Sequence, residues 1–212
     1  MNFAKKEILI RRTLSVAFCF FSVVTHAQEW PSDFWHDGKI ILETGDTLKG
    51  LVKYDLQQDV LQYKRNDRQA SGEAYSSRKV LSFEIFDGVS RKYRIFFALP
   101  FSNSGGYKTP VFFELLEEGK MTLLTREQLE YRTYSSPYYF GGSYSRLVLV
   151  YRFFFLDEKG NITEFLGKKN DLLARMGNKA EEVEKFMRVN RLDITDRNEM
   201  TRIVDYYNSL FE

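Results

Sequence analysis

Thirty-one basic and 29 acidic residues among 212 give a formal charge of +2, with four of the basic ones inside the first twelve positions. Without that end the balance turns slightly acidic. The body therefore lacks the basic surface that releases counterions from phosphates, and no nucleic-acid partner is expected. One cysteine and two histidines exclude a disulfide framework and leave too few ligands for an ordinary zinc site.

Lys5, Lys6, Arg11 and Arg12 precede an apolar run from Leu14 to Val24, followed by Thr25-His26-Ala27. This three-part order predicts a secretory signal peptide over residues 1–27, cleaved after Ala27. The run is shorter than the ~20 residues a spanning helix needs. Cys19 leaves with it, and Phe18 stands where a lipoprotein signal needs a small residue. An exported chain without cysteine fits a bacterial envelope: periplasm, outer-membrane surface or extracellular space.

After an aromatic lead-in, Trp30 to Trp35, the chain reads as short strands separated by turn residues. Strands are predicted at Lys39–Thr44, Thr47–Tyr54, Val60–Lys64, Lys79–Phe86, Lys92–Ala98, Val111–Leu116, Met121–Thr125, Leu147–Leu156 and Ile162–Phe165. The nearly continuous apolar runs Val111–Leu116 and Leu147–Leu156 predict strands covered on both faces. For the first hairpin, matching polar and apolar faces predicts a three-residue loop over Gly45, Asp46 and Thr47, or a two-residue turn with a bulge. The looped register sets Ile40 opposite Val52, Leu42 opposite Gly50 and Glu43 opposite Lys49.

From about Lys168 the period becomes helical. Asn170 is placed to cap a helix ending at Gly177, Asn178 with Glu181 to open a second, and Asp196 with Glu199 a third. The expected fold is a β-rich α+β body over residues 28–167, an antiparallel meander or rolled, barrel-like sheet. Three short helices in 168–212 are expected to cap it.

Chemistry is sparse. His36 is the one histidine beyond the signal, with no serine or cysteine partner to nominate, and it reads as a surface residue. Glu84, Asp87, Glu114, Glu117 and Asp157 lie near strands, where a carboxylate-dependent hydrolase of envelope glycans would hold its acid and base. A lipid carrier would need a closed apolar cavity. The segment Tyr131 to Ser145 reads as a long loop in which Tyr131, Tyr134, Tyr138, Tyr139 and Tyr144 stand among serine and glycine, a composition suited to recognition. No catalytic residue, metal or cofactor is assigned. The expected function is a non-enzymatic module binding an envelope protein, glycan or lipid.

The Ala27-Gln28 junction, the stretch Gly45-Asp46-Thr47-Leu48-Lys49-Gly50 after Ile40-Ile41-Leu42, and the ending Tyr206-Tyr207-Asn208-Ser209-Leu210 resemble a group of uncharacterised secreted or periplasmic proteins of Gram-negative bacteria. The resemblance implies an envelope location and a β-rich fold, and it supplies no activity. Asp46-Thr47-Leu48 is also similar to a short O-glycosylation signal of exported bacterial proteins, which makes Thr47 a candidate attachment point for sugar.

Overall fold

The computed structural model describes residues 30–88, 90–102, 106–135 and 142–211, so the expected signal segment lies outside the described residues. Ten strands form one open antiparallel sheet: β1 His36–Leu42, β2 Thr47–Asp55, β3 Val60–Lys64, β4 Glu73–Ser76, β5 Val80–Asp87, β6 Lys92–Phe101, β7 Thr109–Glu117, β8 Thr122–Ser135, β9 Ser143–Leu156 and β10 Ile162–Phe165. Helices α1 Lys169–Met176, α2 Ala180–Asn190 and α3 Arg197–Ser209 follow. Strand and helix positions agree with expectation to within two or three residues, β1 lying two to three residues earlier, except for the short β4 and the extent of β8 and β9. No described helix is long and apolar enough to cross a membrane.

Strand order is β10-β9-β8-β7-β6-β5-β1-β2-β3-β4, which departs from a simple meander because β5 pairs with β1. That order dictates the shape. In a flat sheet β4 and β5 would lie four inter-strand steps, about 19 Å, apart. The link from Ser76 to Val80 can reach only about 14 Å. The sheet must therefore curl until β4 ends beside β5, where the Lys79 amide donates to the Ser76 carbonyl at 2.9 Å. Ile40, Val52, Tyr54, Leu61, Phe83, Phe96 and Phe112 fill the inside of this roll. Phe83 and Phe96 stack at 4.4 Å with Phe112 edge-on, an arrangement aromatic quadrupoles favour.

The same face of the sheet carries a second core farther along. Leu123, Phe153, Phe155 and Phe165 meet Leu172, Met176, Val183, Met187, Met200, Ile203, Val204 and Tyr207 from the three helices. The opposite face buries Phe113, Leu124 and Phe154. The Phe112-Phe113 and Phe153-Phe154-Phe155 runs are thus covered on both faces as expected, whereas Leu147 to Val150 remain half-exposed.

Between Thr109 and Phe113, β7 has no partner from β8, whose pairing with it begins at Glu114 and Thr125. Side chains satisfy this open edge instead. The Ser77 hydroxyl donates to the Pro110 carbonyl at 2.6 Å, and the Phe112 amide donates to Asp59 at 3.3 Å. Asp59, at φ 54° in the β2–β3 turn, also accepts from the Tyr54 hydroxyl and from Arg126. Burial, followed by the neighbouring Asp59 charge, raises the Tyr54 pKa well above its ordinary value.

Three local expectations are corrected. The first hairpin has a three-residue loop, but it is Glu43-Thr44-Gly45: the Leu42 amide donates to the Asp46 carbonyl at 2.9 Å. Gly45 has φ 88° and must take the left-handed third position of such a loop. Ile40 consequently faces Leu48, and His36 faces Val52. Asn170 does not cap α1, since Lys168 holds that position without a side-chain bond. Asn178 is absorbed in a 3₁₀ turn over Gly177–Lys179 after the positive φ of Gly177, so α2 opens at Ala180 with no side-chain cap. Asp196 does cap α3, accepting from the Asn198 and Glu199 amides at 2.9 Å each.

Candidate binding site on the β8–β9 arm

β8 and β9 pair without a break from Thr122↔Leu156 to Ser135↔Ser143. Their inner ends belong to the sheet. Farther out, β7 pairs with β8 only as far as Thr125 and β10 pairs with β9 only over Phe153 to Leu156. Among the described residues, the outer hairpin is a two-stranded arm with both backbone edges unpaired. The expected loop from Tyr131 to Ser145 is therefore corrected: Tyr131–Ser135 and Ser143–Ser145 are strand. Matched pairs across the hairpin outweigh the turn-like composition.

Alternation gives the arm two different faces. Leu129↔Leu149 and Tyr131↔Leu147 make one side apolar. Arg132↔Arg146 and Tyr134↔Tyr144 occupy the other. The two tyrosine rings stack at 5.6 Å, and the Arg146 guanidinium lies 4.7 Å from the Tyr134 ring centre. Hydrogen bonding to Tyr134 raises the Arg146 pKa. Tyr131 is 78% and Tyr144 51% exposed. Tyr138 and Tyr139 lie outside the described residues.

Like charges directly opposite in a ladder are destabilising. Carboxylates relieve the neighbouring arginines but not this pair. Arg126 bonds Asp59 at 3.1 Å, and Arg152 bonds Glu130 at 2.7 Å and Glu164 at 2.9 Å. Arg132 and Arg146 have no acidic partner among the described residues. Replacing Arg132 with Glu is expected to raise the urea midpoint, because an opposite-charge pair replaces a repulsive one. An unchanged or lower midpoint would show that solvent already screens the repulsion.

At the foot of the arm, where β10 ends, a groove of about 490 Å³ runs along the β9 edge. Arg132, Leu149, Tyr151, Phe165, Leu166 and Ile194 are among its lining residues.

Four of the five nominated carboxylates are engaged by separate partners. Glu84 pairs with Lys39 at 3.0 Å, Asp87 accepts from the Ser90 hydroxyl, and Asp157 is held below its ordinary pKa chiefly by Asn161. Glu117 ends β7 opposite Leu123. Register places Glu84 and Glu114 on opposite faces, since Glu84 faces Ile95, Ile95 faces Leu115, and adjacent residues alternate. Glu114 instead joins Glu127, Arg94 and Arg197 between the two inner-face cores. Arg94 donates to Glu114 at 2.9 and 2.7 Å and to Glu127 at 2.6 Å, and Arg197 also donates to Glu114. Burial pushes the Glu127 pKa up, and Arg94 opposes it. Burial pulls Arg94 down, but its bonds to Glu114 and Glu127 raise it overall. Thr47 is exposed at the start of β2, and His36 opens β1.

Comparison with protein-family models, curated proteins and solved structures returns no match.

Arg132 and Arg146 escaped the sequence reading, yet a signal for them was present. Arg132-Thr133-Tyr134 and Tyr144-Ser145-Arg146 mirror each other about the intervening residues. A hairpin superposes them as Arg on Arg, hydroxyl on hydroxyl and Tyr on Tyr, with Thr133 and Ser145 bonded at 2.8 Å.

Proposed function

We propose that this chain is an exported cell-envelope protein that acts as a non-enzymatic binding module, with the β8–β9 arm as its recognition element. The observation carrying this reading is the arm itself, a ribbon whose two edges are unpaired among the described residues and that presents Tyr131, Tyr144 and an arginine pair without a carboxylate partner to solvent. Rigid amphipathic tyrosines and bare strand edges are both costly features for a protein with no partner, because they invite association. The amino-terminal signal pattern supports the envelope location.

The test is crosslinking and pull-down from the native envelope, comparing the wild type with a Tyr131→Ser, Tyr144→Ser double variant. The variant is expected to lose its specific co-purifying component while keeping the wild-type melting temperature. A retained component, or a loss that follows a fall in melting temperature, would overturn the assignment to the arm.

A further inference from the structure

Three features converge on the outer edge of β9. First, β10 pairs with β9 from Phe153 to Leu156 and stops, while β9 continues back to Ser143 with no described strand on that side. The bare edge thus prolongs a ladder that is already in use. Second, Leu149 to Phe153 line the groove as consecutive strand residues, with Leu166 and Ile194 adding apolar walls. Third, Arg132 lines the same groove, and Arg146 lies on the same arm face.

We propose that the β9 edge is the docking site for an acidic, extended polypeptide segment, which adds to the sheet as a strand in line with β10. This inference rests on the binding-module reading and names the partner's chemistry. Strand addition draws affinity from main-chain hydrogen bonds and specificity from alternate side chains. On an added strand, residues of one parity would meet Leu147 and Leu149, and residues of the other would meet the face of Arg146, Val148 and Val150. On that face Glu130 and Glu164 are both held by Arg152, while Arg132 and Arg146 have no carboxylate among the described residues. The recognised pattern is therefore apolar residues at alternate positions with acidic side chains among those between them, within reach of Arg146 and Arg132.

Charge selects this occupant over a second copy of the chain. Joining two arms through their β9 edges would bring two Arg132–Arg146 faces together, and charged side chains are a common guard against such edge pairing. The same arginines attract an acidic strand.

A fluorescent peptide of about ten residues alternating Val and Glu, flanked by Gly-Ser, serves as the probe. It is compared by anisotropy with a Val-Lys peptide and with a Val-Glu peptide N-methylated along one edge. The wild type is expected to bind the acidic peptide at least about tenfold more tightly than either control. An Arg132→Glu, Arg146→Glu double variant, with its melting temperature checked, is expected to invert the charge preference. Equal binding of acidic and lysine peptides would overturn the proposal. Undiminished binding of the N-methylated peptide would overturn strand addition and leave only charge attraction, as any polyanion would show. If the envelope pull-down recovers an arm-dependent component while the acidic peptide does not bind, this inference fails and the binding-module reading stands.

Discussion

Replacing Arg94 with Ala is expected to destabilise the protein by about 3–5 kcal/mol, the usual cost of breaking a buried pair from one side. Glu114 and Glu127 are 2% and 7% exposed, and Arg94 at 11% is the group that joins them. Its removal strands Glu127 and leaves Glu114 with Arg197 alone. Denaturant unfolding gives the measurement, and a loss below about 1 kcal/mol would mean that water or rearrangement relieves the carboxylates. Lys120→Ala, which breaks an exposed pair with Glu158, should change little by comparison. The network also has a pH signature. Because the folded Glu127 pKa is raised, the native state holds its proton when the unfolded chain has released it. Glu127 therefore contributes stability below its unfolded pKa that is lost as pH rises through the folded value. The Glu127→Gln variant should match the wild type in acid and gain on it as pH rises through that window. A constant difference across the window would contradict the shift.

Asn208→Ala is expected to cost about 2–4 kcal/mol, from two buried backbone groups left without partners. The Asn208 carboxamide oxygen accepts from the Met121 amide at 2.9 Å, and its nitrogen donates to the Met121 carbonyl at 3.0 Å. One side chain near the end of α3 thereby takes the place of a strand neighbour at the β7–β8 turn. Gly119 belongs to the same fit, since a Cβ there would lie 2.5 Å from the Asn208 amide nitrogen. Thermal or urea unfolding of Asn208→Ala tests the role. A change within about 0.5 kcal/mol, normal for surface positions, would show that the bonds carry no net stability.

Much of this fold was legible along the chain because local rules governed it. Alternation and turn residues located nine of the strands, and the Asp196 cap was readable because its bonds reach only two and three residues ahead. Expectations failed where a distant or competing constraint decided. The first hairpin moved because the backbone of Gly45 outweighed the matching of polar and apolar faces. The arm was hidden because Ser, Gly and Tyr suit loops as well as exposed ribbons, and only pairing across the hairpin separates the two. Asn208 was noticed as part of a terminal pattern, but its partner lies 87 positions earlier, a distance no periodicity reports. Nothing in the sequence marks Glu127 or Arg94 for burial, and Glu127 lies beyond the end of the strand predicted at Met121–Thr125. Their burial comes from the seam between two cores, which exists only after the sheet has curled.

The curl also sets an order of events as the chain emerges, amino-terminal end first. β1, the first of the described strands, lies within the sheet, with β2 on one side and β5 on the other. While β2, β3 and β4 are emerging, the Ile40-Ile41-Leu42 edge that will receive Val80 to Phe83 has no partner, and a bare apolar edge is where incomplete chains aggregate. β5 ends that exposure and completes the curl in one step, after which each new edge waits only for the strand that follows it in the chain.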